Sequence, residues 1–252
     1  MYHSTKPYLE ELSVAQALLM PCKSVAIFSG AGISAESGIA TFRDPQTGAL
    51  WDKFDPDKLA SMNGFAENPQ LVWDWYISRR EMCKEAHPNL GHLAIGKLES
   101  LRTTRVITQN VDDLHERGGS TDVVHIHGDL DHASCVSCDW RGEFTELTIT
   151  QSTPSCPLCG NLARPSVVWF GEMLPTVEWS AAENICMTHD LLIIVGTSGN
   201  VSPASGLPWL AKKSGRSIIS INTRISDHCA YADVRLTGTS GKILTELIES
   251  LS

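Results

Sequence analysis

The chain has 252 residues, of which 42% are apolar and 19% charged, the composition of a folded globular protein, and this excludes wholesale disorder. Its net charge of −9, from 20 basic against 29 acidic side chains, speaks against nucleic acid as a partner and against a polybasic membrane anchor. No apolar run approaches the ~18 residues of a membrane helix, and the opening residues lack a basic head followed by an apolar stretch, so a cytoplasmic, reducing compartment is expected.

A helical pattern over 8–20 leads into 24–28, Ser-Val-Ala-Ile-Phe, which reads as a buried parallel strand. Similar β-branched runs recur at 105–108, 123–126, 191–195 and 217–221, with a sixth at 233–236. Helical patterns at 68–86, 89–100, 177–188, 204–214 and 241–250 alternate with them. The alternation predicts an α/β fold, a Rossmann-like doubly wound parallel sheet. Two stretches interrupt it. One is the polar segment after Thr41 with the helix behind it, 42–86, and the other is 129–165. Together they are expected to form a smaller lobe, a flap with a helical module and a zinc ribbon, on a discontinuous large domain of 1–41, 87–128 and 166–252.

The zinc expectation rests on cysteine spacing. Cys135-Val-Ser-Cys138 and Cys156-Pro-Leu-Cys159 are two tight pairs separated by 17 residues, while Cys22, Cys83, Cys186 and Cys229 stand alone. Two such knuckles supply the four soft ligands of a tetrahedral site; redox dithiols or disulfides are the other readings. Four thiolates leave no open coordination position, so one structural Zn²⁺ is expected and the chemistry lies elsewhere.

Small or hydrogen-bonding residues follow five of the strands: Ser-Gly-Ala-Gly after Phe28, Gln-Asn-Val-Asp after Thr108, His-Gly after Ile126, Gly-Thr-Ser after Val195 and Asn-Thr after Ile221. In an open α/β sheet these carboxyl ends border the ligand crevice, so a long polar ligand is expected there. Gly30-Ala-Gly32-Ile-Ser-Ala35 matches the phosphate-loop pattern, yet no second strand ending in an acidic residue follows about 20 residues on, unlike an ordinary dinucleotide fingerprint. Tyr76 and Arg79 are three residues apart in a helical stretch, so phenol and guanidinium share one face and can converge on an anion.

These residues resemble the sirtuin family of NAD-dependent protein deacylases. The resemblance is carried by Gly30-Ala-Gly-Ile-Ser-Ala-Glu-Ser-Gly38, Thr41-Phe-Arg43, Thr108-Gln-Asn-Val-Asp112, His125-Ile-His-Gly128, the four paired cysteines, Val167-Val-Trp-Phe-Gly-Glu172, Gly196-Thr-Ser198 and Asn222-Thr223, in order across about 24–248. Tyr76 and Arg79 look like the class III motif, which implies binding of the carboxylate of succinyl- or malonyl-lysine, with Ala60 as the small residue that leaves room for it. The resemblance implies His127 as the base that deprotonates a ribose hydroxyl, with Asn110 and Asp112 as its catalytic neighbours; His125 reads as structural. The products it implies are free lysine, nicotinamide and O-acyl-ADP-ribose.

For NAD, the resemblance implies contacts from Gly30, Ala31, Gly32 and Ser34 around the phosphates, and from Thr41, Phe42 and Arg43 on the flap. Gln109, Asn110 and Asp112 are expected at the nicotinamide and its ribose, Gly196, Thr197, Ser198 and Asn222 at phosphate and adenosine ribose, and Ser240 near the adenine. Acylated lysine peptides or proteins are the expected partners, adding a strand between 168–172 and 199–202, with Val168 and Phe170 lining an acyl-lysine tunnel. Neither nucleic acid nor membrane is expected as a partner, and the chain is expected to act as a monomer. A mono-ADP-ribosyltransferase using the same NAD cleft is the alternative.

Overall fold

The computed structural model describes residues 5–41, 54–147 and 153–251. Six strands form one wholly parallel sheet: β1 (Ser24–Ser29), β2 (Thr103–Thr108), β3 (Val123–His125), β7 (Leu191–Val195), β8 (Ser217–Asn222) and β9 (Val234–Thr237). Their spatial order is β3-β2-β1-β7-β8-β9, so the chain reverses its direction of travel between β1 and β7. That is the doubly wound arrangement expected from the sequence. β1 and β7 are apolar and buried along nearly their whole length because helices cover both faces. On one face Ile27, Val106 and Ile193 pack with Leu19, Leu98 and Leu244; on the other Phe28, Ile107 and Ile194 pack with Ile185 and Leu207. The pattern over 204–214 resolves into a short 3-10 turn, Ala204–Gly206, and a helix, Leu207–Lys213.

Register places the loops that matter. Ser29 is level with Thr108 on one side and with Val195 on the other, and Val195 is level with Ile221. Gly30, Gln109, Gly196 and Asn222 therefore leave the sheet side by side, at the switch point where open α/β sheets hold ligands. Gly32 and Gly196 touch there: Gly32 N donates to Gly196 O at 2.8 Å, and a Cβ on Gly32 would lie 2.7 Å from that same oxygen. The second glycine of the loop is thus required by backbone packing against the β7 loop, over and above any ligand.

A second, three-stranded antiparallel sheet has the order β5-β4-β6, with β4 Gly128–Cys135, β5 Arg141–Glu143 and β6 Ala163–Val167. It carries the paired cysteines. Beside it packs the helix Pro69–Glu85, whose start is set by Pro69 and by the Asn68 side chain accepting from Leu71 N at 3.1 Å. Val72, Trp73, Tyr76, Arg79 and Cys83 form its buried stripe. A separate core of Trp73, Phe65, Leu130, Ala133, Ala163 and Trp169 joins this helix to the small sheet. Among the described residues, no helix is long and apolar enough to cross a membrane.

Candidate active site

A cleft of about 680 Å³ opens at the carboxyl ends of β1, β2, β7 and β8 and runs on toward the small sheet. That volume suits a cofactor-sized ligand. Its sheet-side wall holds Gly30, Ala31, Gly32, Thr41, Gln109, Asn110, Gly196, Thr197, Ser198, Asn222 and Ser240. Gln109 Nε2 donates to Thr197 Oγ1 at 2.9 Å and Asn222 Nδ2 to Thr197 O at 2.8 Å, so three loops brace one another across the cleft floor. The opposite wall holds Ala60, Tyr76, Arg79, Val168 and Phe170, and His127 stands between the two. Ser34 and Asp112 do not line the cleft. Both are buried behind it, where Ser34 Oγ donates to Asp112 Oδ2 at 3.1 Å and accepts from Asn110 Nδ2 at 3.0 Å. The Ser34 hydroxyl is therefore engaged within the protein, and the Asp112–Ser34 pair orients Asn110. Phe42 and Arg43 lie outside the described residues.

His127 sits in the turn between β3 and β4, just past the strand expected at 123–126. Its Nδ1 lies 3.2 Å from Gln109 O. A carbonyl only accepts, so Nδ1 carries the proton and Nε2 is the basic nitrogen. Burial holds its imidazole below the ordinary histidine value, and the Gln109 bond offsets this in part. Gly128 follows with φ +72°, and a Cβ there would lie 1.9 Å from Ser166 O, so only glycine closes the turn against β6. His125 is tied at both nitrogens, Nδ1 to Asn110 O at 3.0 Å and Nε2 to Glu116 Oε1 at 2.7 Å. Burial alone would push it down, but Glu116 and the Asn110 carbonyl raise it above the ordinary value. It is bound into the scaffold, as expected.

Main-chain bonds fix the wall that carries Val168 and Phe170. Val168 N donates to His127 O at 2.9 Å, and Phe170 N donates to Ala60 O at 2.9 Å. These two residues are thus pinned to the His127 turn on one side and to the helical module on the other. Tyr76 and Arg79 are 4% and 5% exposed, so both are buried where they line the cleft. Arg79 Nη2 donates to Ala40 O at 3.2 Å. Burial raises the Tyr76 phenol well above its ordinary value, so it stays protonated.

Two clusters escaped the sequence reading. Glu36 lines the cleft and accepts from Ser240 Oγ at 2.5 Å and Gly241 N at 3.0 Å, joining the phosphate loop to the last helix, Ser240–Glu249. Arg164, 9% exposed, forms a two-point pair with Glu172, its Nη2 to Oε2 distance being 3.0 Å, and lies over the Trp169 ring at 3.5 Å. Glu36 and Glu172 lie within the motifs at 30–38 and 167–172 and Ser240 is expected near the adenine, but nothing in the spacing of Arg164 singles it out.

Apart from the cleft, the sulfurs of Cys135, Cys138, Cys156 and Cys159 all lie within 4.8 Å of one another. The closest pairs, 3.5 Å for Cys135–Cys159 and 3.7 Å for Cys138–Cys156, are too long for disulfides and close to the ~3.8 Å edge of a zinc–thiolate tetrahedron. These four residues fit one zinc, which would cross-link the small sheet and supply no chemistry to the cleft.

With this geometry in view, the model of the Sir2 family matches residues 30–203. The chain belongs to the Sir2 family. The NAD-dependent protein deacylase 2 of Pyrobaculum aerophilum is 44% identical over 235 residues, 93% of this chain and 93% of that protein. The NAD-dependent protein deacylase of Pyrococcus furiosus is 43% identical, over 90% of this chain and 93% of its own length. A solved complex of a Sir2 homologue with NAD superimposes with a TM-score of 0.87 at 40% identity, covering 95% of this chain and 93% of that one.

Proposed function

We propose that the protein removes acyl groups from lysine side chains with NAD as co-substrate, and that its acyl pocket favours groups ending in a carboxylate, succinyl or malonyl, while still taking acetyl. Family membership and the deacylase relatives support the reaction. One observation carries the acyl preference: Tyr76 and Arg79 share the buried face of one helix and open into the cleft that holds His127. A guanidinium offers a planar fork to a carboxylate, a protonated phenol adds one donor, and Ala60 leaves space beside them.

The chain's own residues then take these roles. His127 accepts a proton at Nε2 from a ribose hydroxyl, being kept neutral by burial and oriented by Gln109 O. Asn110, set by Ser34 and Asp112, and Gln109, set by Thr197, orient the nicotinamide end. Gly30, Ala31, Gly32, Thr41, Thr197, Ser198 and Asn222 surround phosphate and ribose, and Ser240 with Glu36 stands at the adenine end. Val168 and the half-exposed Phe170 flank the lysine chain of an acylated peptide.

The test offers one peptide bearing acetyl, malonyl, succinyl or glutaryl lysine and compares kcat/KM. Arg79→Met is expected to lower the succinyl-to-acetyl ratio about 10- to 150-fold, the worth of a charge-assisted pair of roughly 1.5–3 kcal/mol. An unchanged ratio would sink the acyl preference. Label passing from NAD onto protein, with no acyl-ADP-ribose formed, would favour the ADP-ribosyltransferase reading instead.

A further inference from the structure

Tyr76 does not reach the cleft unassisted. Its hydroxyl oxygen accepts a hydrogen bond from Trp169 Nε1 at 2.9 Å, and Trp169, 2% exposed, lines the cleft beside it. A phenol has one proton and two lone pairs. With one lone pair occupied by the indole N–H, the phenol is arranged to give its own proton forward, to an acceptor in the cleft. The indole is itself held from three sides. Arg164 stacks on its ring at 3.5 Å, Trp169 N donates to Glu172 Oε2 at 2.7 Å, and Glu172 pairs with Arg164, which also donates from Nη2 to Val167 O at 2.8 Å. Phe65 and Tyr76 pack against it with ring centroids at 5.3 and 6.4 Å. A cation over the indole face polarises the ring and strengthens its N–H as a donor.

We propose that Trp169 is a specificity-determining positioning residue: by donating to the Tyr76 hydroxyl it commits that phenol to donate to the carboxylate of an acidic acyl-lysine. The relay runs Trp169 to Tyr76 to substrate, with Arg79 as the second arm. It rests on the acyl preference proposed above and extends it to a residue outside the Tyr76–Arg79 pair. A neutral acyl group such as acetyl presents no anion at that depth, so the relay bears on acidic substrates alone.

The experiment measures succinyl and acetyl kcat/KM for Trp169→Phe, Tyr76→Phe, the double variant and Arg79→Met, with Tm as a check on folding. Trp169→Phe keeps an aromatic ring beneath Arg164 and removes the N–H. It is expected to lower the succinyl-to-acetyl ratio about 3- to 10-fold, mainly through KM, as loss of one neutral hydrogen bond does. Because Trp169 acts through the Tyr76 hydroxyl, the double variant is expected to be no worse than Tyr76→Phe. A ratio that falls with Arg79→Met but holds with Trp169→Phe overturns the relay alone. Losses that multiply in the double variant, or equal losses on both substrates, overturn it as well, since they describe a packing residue. A ratio unmoved by Arg79→Met overturns the acyl preference and the relay with it.

Discussion

The bond from His127 Nδ1 to Gln109 O decides which nitrogen is basic, and burial decides over what pH range it stays so. Because the folded value lies below the ordinary ~6.5, the neutral form persists to lower pH than it would in a free imidazole. Deacylation kcat/KM is therefore expected to stay level as pH falls from 8 to 6.5 and to decline only below that, and a profile that breaks above pH 7 would contradict this. His127→Ala is expected to cut kcat by roughly 10²–10⁴ with Tm little changed. Other buried imidazoles bear on stability, and two of them form a pair. His92 and His115 meet edge to face with centroids 5.0 Å apart, and burial pushes His92 down to about 4 and His115 well below its ordinary value. A depressed histidine stabilises the fold above its unfolded pKa, and that contribution is lost as pH falls through the folded one. Tm is thus expected to fall as pH drops from 6.5 toward 4. His92→Gln, which can still accept from Asn89 N at the head of the helix Leu90–Leu101, should flatten that slope.

Among the elements, the helix Pro69–Glu85 does most to join the parts. Tyr76 and Arg79 of its buried stripe line the cleft, while Arg80 and Lys84 reach Asp131 on β4 at 3.0 and 2.8 Å, and Lys84 also reaches Asp113 at 2.7 Å, beside Asp112. These pairs are partly solvated and screened, so Lys84→Met is expected to cost about 1 kcal/mol, a Tm drop of roughly 2–4 °C that shrinks in high salt. A drop that salt leaves unchanged would mean lost packing rather than lost charge. The helix and the parallel strands were readable from the sequence because their signals are periodic or continuous: Tyr76 and Arg79 at i, i+3, and Leu191–Val195 without a polar residue. The strands of the small sheet were not, since Gly-Asp-Leu-Asp-His-Ala-Ser-Cys in β4 is short and largely polar and is held by pairing with β6 and by its cysteines. The cleft was readable through motifs at strand ends. Arg164 and Trp169 were not, nor was the placement of Ser34 behind the cleft on Asp112 and Asn110, because these roles arise from contacts between segments far apart in sequence, as in the 93-residue separation of Trp169 from Tyr76.

For the molecule as a whole, the small sheet begins and ends at the cleft. β4 starts at Gly128, directly after His127, and β6 ends at Val167, directly before Val168, and both His127 and Val168 line the cleft. Removing zinc with a chelator is therefore expected to release one ion per chain, lower Tm and abolish deacylation together, although none of the four paired cysteines lines the cleft. Full activity in zinc-free protein would show that the small sheet holds its shape unaided. At the other end of the cleft the two halves of the parallel sheet meet at Gly32 and Gly196, backbone against backbone. Such mutual contact makes the two positions partners in any drift of the sequence. A methyl group on either one wedges the halves apart, whereas a second methyl, on the other, meets a gap already widened, so paired replacements here should do less harm than the sum of the single ones.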